Sequence, residues 1–213
     1  MMKKIFLIVL FLFSIELLAQ VDITTGMGIS FVNNSSLQDY INSFPLNDKL
    51  ETFNSSFETY LEGDYSIGPK FQLGVEYVFQ IFSFNSPYAG LGQYDLTYVQ
   101  HKPSLLAYYV ISGNGFKIKF GGGAGPRFVN LDEKILSTTN YKSSGFGLLG
   151  RIQAHTKLGD NFYANIGSTL RYDHGGVPEN NTRKLHDNFV KEDVNINALS
   201  VSVNIGVSYF IGK

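Results

Sequence analysis

Leu199-Ser200-Val201-Ser202-Val203-Asn204-Ile205-Gly206-Val207-Ser208-Tyr209-Phe210-Ile211 places an apolar residue at every odd position and, Phe210 apart, a polar or small one at every even position. A period of two with one apolar face belongs to a β-strand. The pattern recurs upstream. Val21, Ile23, Met27, Ile29 and Phe31 oppose Asp22, Thr24, Gly26, Gly28 and Ser30, and Ile67, Phe71, Leu73, Val75, Tyr77, Phe79 and Ile81 oppose Lys70, Gln72, Gly74, Glu76 and Gln80. Tyr94, Leu96 and Tyr98 alternate with Gln93, Asp95 and Thr97; Phe116, Ile118, Phe120, Ala124 and Phe128 with Lys117, Lys119, Gly121, Gly123, Gly125 and Arg127. Two further sets carry Phe146, Leu148, Ile152 and Ala154 against Arg151, Gln153 and His155, and Phe162, Ala164, Ile166, Leu170 and Tyr172 against Asn165, Gly167, Thr169, Arg171 and Asp173.

The segment Leu105–Ser112 is apolar at both parities, and its turn sets its phase. Asn114-Gly115 is the favoured pair for a two-residue type I′ hairpin, which places Gly113 opposite Phe116, Ile111 opposite Ile118 and Tyr109 opposite Phe120. Tyr108 then points to the polar side, above Gly121 or Gly123. Eight strands result. Short links are expected at Ser83–Pro87, His101–Ser104, Asn114-Gly115 and 159–161, and long ones at 33–64, 129–144 and 175–195. Short connections at one end and long ones at the other are the habit of exported membrane barrels.

Composition narrows the class. Only 16% of the 213 residues are charged, against the roughly 25% usual in soluble domains. The formal charge of -1 leaves no electrostatic footprint for nucleic acid. The absence of cysteine excludes a disulfide framework, a thiolate metal site and a Cys nucleophile. At the start, Lys3 and Lys4 precede an apolar run, Ile5–Phe13, and a small residue at Ala19, the layout of a secretory signal peptide. Cleavage after Ala19 is predicted, giving a signal peptide of residues 1–19 and a barrel domain of residues 20–213.

Size decides which face points outward. An eight-stranded barrel has an interior just wide enough for side chains, and the apolar faces, rich in Phe, would overfill it. The polar faces hold most of the glycines and all the charges, whereas lipid penalises Lys or Arg by about 2–4 kcal/mol at the midplane of a barrel wall. The expected fold is therefore an all-β, eight-stranded, antiparallel up-and-down transmembrane β-barrel with its apolar face in lipid.

The export signal ending at Ala19-Gln20, the segments Tyr65–Phe71 and Gly121–Arg127, and the final strand Leu199–Ile211 resemble the small eight-stranded outer-membrane barrels of the OmpA/OmpX type, in particular porin-family barrels of Bacteroidetes-type bacteria. The resemblance spans the whole mature chain and implies location in the outer membrane with periplasmic termini. It also implies contact with outer-membrane lipid and lipopolysaccharide, handling by periplasmic chaperones and the barrel-assembly machinery, and a monomeric state. Such barrels often finish on an aromatic residue that the assembly machinery reads; here Phe210 is followed by Ile211, Gly212 and Lys213.

The predicted interior collects Asp22, Lys70, Glu76, Asp95, Lys117, Lys119, Arg127, Arg151, His155, Arg171 and Asp173 as a polar network. Charges in a narrow space need partners, so a paired plug is the first expectation and a narrow solute or ion channel the second. Lipid A-trimming barrels suggest a third, an enzyme, through Asp173 and His174. Barrel deacylases place a Ser two residues after the His, and Gly176 stands there, so no catalytic residue is assigned. His101 and His186 lack a second ligand at metal spacing, and Gly121–Gly125 lacks the Gly-Lys-Ser/Thr of a phosphate loop, so no metal or cofactor is expected. In the first loop, Leu37, Tyr40, Ile41 and Phe44 fall at helical spacing, as do Leu50, Phe53, Phe57 and Tyr60 or Leu61, which predicts two short amphipathic helices. The overall expectation is a non-enzymatic barrel that serves envelope integrity or surface interaction through its loops.

Overall fold

The computed structural model describes residues 20–88, 90 and 92–212, so the predicted signal peptide lies outside the described residues. The wall consists of β1 (Val21–Asn33), β2 (Asn54–Ser66), β3 (Phe71–Tyr88), β4 (Gly92–Gly113), β5 (Phe116–Lys134), β6 (Thr138–Lys157), β7 (Phe162–His174) and, after a small hairpin of β8 (His186–Asp187) and β9 (Glu192–Asp193), β10 (Ala198–Ile211). A helix, α1 (Ser35–Ser43), follows β1. The eight long strands pair antiparallel in the order β1-β10-β7-β6-β5-β4-β3-β2 and close into a barrel. Closure leaves no strand edge unpaired around the lower wall, where all eight strands meet, while the upper ends of β3 and β6 run past β2 and β7.

Val21 pairs with Ile211, which brings both ends of the wall to one mouth beside the turns at 67–70, 114–115 and 158–161. At that mouth the β4–β5 register is Gly113 to Phe116, Ile111 to Ile118 and Tyr109 to Phe120, as a two-residue Asn-Gly turn predicts, but only Gly115 of the pair has positive φ, 83°, so the turn is not of type I′, which needs it at both. Tyr108 packs inward over Gly121, where a Cβ would lie 2.4 Å from the tyrosine ring. Gly26 and Gly206 face each other beneath Tyr60 for the same reason. The interior is crowded.

Around the terminal mouth and the middle of the barrel the outward residues are apolar and exposed, among them Met27, Leu61, Val75, Leu105, Phe120, Ile152, Ile166 and Val203. This belt is what hydrocarbon requires of a wall whose backbone groups are all paired within the sheet. Toward the loop mouth β3 to β6 rise past the belt and their polarity inverts. Outward positions become Ser83, Asn85, Gln93, Asp95, Thr97, Asn130, Asp132 and Asn140, while Phe82, Tyr94, Leu96, Tyr98, Val129, Leu131 and Tyr141 turn inward and are buried. In β4 the inward parity stays even from Tyr94 to Val110. Only the chemistry of the two faces exchanges.

That inversion corrects the strand count in its particulars. Tyr94–Tyr98 and Leu105–Ser112 are two ends of one 22-residue strand, and His101–Ser104 is its middle. Tyr94, Leu96 and Tyr98 take the even parity and face a protein core, whereas the lipid-facing residues of the other end, Leu105, Tyr109 and Ile111, take the odd one. Ser83–Pro87 likewise lies within β3, and most of 129–144 is strand, so the β5–β6 link at the loop mouth is short. The eighth strand is β2, which the sequence placed in a helical loop. Phe57 and Leu61 are four apart, a spacing that one face of a helix and one face of a strand share, and the alternation of Ser56, Glu58, Tyr60, Glu62 and Asp64 inward resolves it.

The other predicted helix forms. Asn34 caps α1 by accepting a 3.0 Å hydrogen bond from the Leu37 amide, a contact worth about 1 kcal/mol. Its apolar face, Leu37, Tyr40 and Ile41, is buried. It packs with Leu46, Leu50, Leu185, Val194 and Ile196 onto the inverted ends of β3 to β6, closing the loop mouth with a single apolar cluster.

Candidate functional site

The lumen is built as three polar layers. Nearest the terminal mouth, Lys117 donates to both oxygens of Asp22 at 2.8 and 3.1 Å, and Lys119 bridges Asp22 at 3.0 Å and Asp64 at 2.7 Å. Gln72 also donates to Asp22 at 2.8 Å, and His155 meets Ser208, which in turn meets Thr24, both at 2.9 Å. Phe210 turns inward beneath this layer, stacked on Tyr163 with ring centroids 4.2 Å apart and with the Lys117 ammonium 3.9 Å above its ring.

In the middle layer Arg151 lies between Glu62, 2.6 Å away, and Glu76, and its Nε donates to Thr169 at 2.8 Å. Arg171 reaches the other oxygen of Glu76 at 3.1 Å, and Gln153 donates to Glu62 at 3.0 Å. The layer nearest the loops joins Lys102 to Asp173 at 2.8 Å and Arg127 to the same carboxylate, with Arg127 also donating to Ser104 and to the Pro103 carbonyl. Asn204 donates to Glu58 at the same end.

Nine of the eleven residues expected in the lumen lie there: Asp22, Glu76, Lys117, Lys119, Arg127, Arg151, His155, Arg171 and Asp173, all buried. Two do not. Lys70 is exposed in the turn between β2 and β3 at the terminal mouth, because its strand begins one residue later, at Phe71. Asp95 points outward beside Lys134, 3.9 Å away, because its neighbours Tyr94 and Leu96 take the inward parity above the belt.

Four charged residues were missed: Glu58, Glu62 and Asp64 on β2, and Lys102 in the middle of β4. The period-two polar face of residues 56–64 was the signal that would have found three of them. With these included the lumen holds, among the described residues, six cations, Lys102, Lys117, Lys119, Arg127, Arg151 and Arg171, against six carboxylates, Asp22, Glu58, Glu62, Asp64, Glu76 and Asp173. Cations and carboxylates in the lumen are thus equal in number. Within this low-dielectric space every one of these charges except Glu58, which accepts from Asn204, lies in an ion pair, the condition under which burial is tolerated.

Asp173 and His174 are separated by the wall, Asp173 facing the lumen and His174 the outside, so the two do not act on one substrate. His101 lies on the outer face of β4, hydrogen-bonded to Tyr77. Among the described residues no group of three His, Asp or Glu side chains is placed to hold a metal.

No protein-family model matches the sequence, and no curated protein matches it. Solved structures do match in fold. Ail, the attachment invasion locus protein of Yersinia pestis, aligns over 91% of this chain and 99% of its own, with TM-score 0.54 and 11% identity. Neisserial surface protein A aligns over 89% and 96%, with TM-score 0.50 and 13% identity. A major outer membrane protein of Thermus thermophilus aligns over 91% and 99%, with TM-score 0.50 and 13% identity. With a closed eight-stranded wall, an apolar outer belt and a polar interior, the chain has the fold of the small outer-membrane β-barrels.

Proposed function

We propose that this protein is a non-enzymatic barrel of the outer membrane, with periplasmic termini, a lumen that serves as a structural plug, and an extracellular cap that is its working surface. The observation that carries this reading is the stacking of two unlike seals. Three layers of paired charge lie inside the belt, and the apolar cluster of α1, the β3–β6 ends and the 185–196 segment covers them. A hydrated ion would have to cross both.

The charge of the chain is distributed accordingly. Cations and carboxylates balance in the lumen, whereas the loop end carries ten carboxylates, Asp39, Asp48, Glu51, Asp95, Asp132, Glu133, Glu179, Asp187, Glu192 and Asp193, against six cations, Lys49, Lys134, Lys142, Arg183, Lys184 and Lys191. An acidic cap favours a surface partner of positive charge, whose attachment weakens as salt screens it. Ail, by contrast, has been solved with sucrose octasulfate, a heparin analogue. Planar-bilayer recording tests the plug: the reconstituted protein should add no discrete conductance, and stable single-channel steps would replace the reading with that of a narrow channel.

A further inference from the structure

We propose that the cleft on the outer face of β5 and β6, directly above the apolar belt, binds an anionic, phosphorylated saccharide headgroup. The proposal rests on the membrane reading above. β7 ends at His174, and the chain then turns outward and lies along the edge of β6 that β7 has left free. Lys142 and Glu179 exchange backbone hydrogen bonds of 2.8 and 2.9 Å, which fixes residues 177–184 as a ledge along that edge. Between the ledge and the wall is an open cleft of about 1200 Å³. That exceeds the roughly 300–1,000 Å³ of pockets for drug-sized ligands and suits more than one sugar ring.

Its lining is chemically selective. Asn130, Asn140 and Asn181 bring amide donors and acceptors suited to hydroxyls, and Lys142 and Lys184 bring two ammonium groups suited to phosphate against the single carboxylate of Glu179, which lies across from Lys142. Lys142 makes no ion pair among the described residues, and Lys184 only a loose one, 3.7 Å from Asp193. Half of the six cations of the otherwise acidic loop end, Lys142, Arg183 and Lys184, gather on or beside this ledge. The lower rim is Phe128, 48% exposed at the top of the belt, so a headgroup here stands at the level where its acyl chains would enter the apolar band.

The test uses the folded chain in nanodiscs and four probes: a phosphorylated acylated disaccharide, its dephosphorylated form, the phosphorylated disaccharide without acyl chains, and phosphatidylglycerol. Native mass spectrometry should show the first binding better than the second and the fourth. Lys142→Gln with Lys184→Gln should lower that affinity by at least about tenfold, the loss of one charge-assisted hydrogen bond to phosphate, while Lys70→Gln at the opposite mouth should not. Binding of the soluble disaccharide as tightly as the acylated one identifies a free sugar phosphate as the source, and weaker binding identifies a lipid headgroup. Equal affinity for all anionic probes, or no loss in the double variant, would overturn the site. Heat-dependent mobility of each variant reports the barrel independently, so failure of the cleft and failure of the membrane reading are distinguishable.

Discussion

The phenol of Tyr40, on α1, donates a 2.7 Å hydrogen bond to the carboxylate of Glu133, 93 residues further along the chain near the end of β5. Burial, followed by the neighbouring carboxylate, pushes the Tyr40 phenol above its ordinary value, so the proton stays on the tyrosine and the bond keeps its direction. The same oxygen of Glu133 accepts from Tyr94 at 3.0 Å. A helix that the first loop contributes is thus tied to the wall by a polar contact inside an apolar cluster.

Tyr40→Phe should therefore loosen the cap and leave the barrel. Removing the hydroxyl costs about 1 kcal/mol, since Tyr94 still satisfies Glu133. Hydrogen exchange should rise in residues 35–43 and stay unchanged in β7 and β10; uniform change across the wall would show that cap and barrel unfold together.

The polarity inversion predicts opposite rankings at two heights. Above the belt, Leu96→Lys puts an ammonium into the apolar cluster opposite the buried Glu133, an ion pair that recovers only part of the burial cost, and should destabilise the cap by about 1–4 kcal/mol, while Thr97→Lys faces water and should be nearly silent. Inside the belt the outward residue is the sensitive one: Val203→Lys should cost about 2–4 kcal/mol, whereas Asn204→Lys turns toward Glu58 in the lumen and should be better tolerated. Urea unfolding in micelles gives both comparisons, and equal sensitivity of Thr97 and Leu96 would remove the inversion.

Arg151 holds Glu62 and Glu76 together in the lumen. Arg151→Met leaves those carboxylates facing each other without their shared cation and should cost about 3–5 kcal/mol. Adding Glu62→Gln removes one of the two charges and should restore part of that loss. If the double variant is as unstable as the sum of the singles, the pair is not the reason Arg151 matters.

The first loop can be shortened only as far as β2. Replacing residues 36–50 with a short Gly-Ser linker should leave heat-shifted mobility intact, because loop closure cost varies slowly with length. Extending the replacement through residue 62 removes most of a wall strand together with Glu58 and Glu62, and should abolish the shift. Mobility before and after boiling decides between these outcomes, and a heat shift that survives the longer replacement would contradict the place of β2 in the wall.

The sequence by itself determined the wall wherever one strand face meets lipid and the other the lumen. Val203 and Asn204 differ in chemistry because they differ in surroundings, so alternation there carries phase, and the Asn114-Gly115 turn carries the register of β4 on β5. Nine lumen residues were legible for the same reason. Alternation alone does not say which face is outside, however; the bulk of the apolar faces and the siting of the charges said so within the belt, and above it only tertiary structure did. Tyr94, Leu96 and Tyr98 read as a lipid face, yet they turn inward because β4 outruns the belt and α1 with the 185–196 segment supplies an apolar interior for them. Phe57 and Leu61 suited a helix equally well until pairing with β1 and β3 fixed β2 as a strand and brought Glu58, Glu62 and Asp64 to their cations. Local pattern records the contrast between two environments; only closure of the sheet and docking of the cap decide which environment lies on each side.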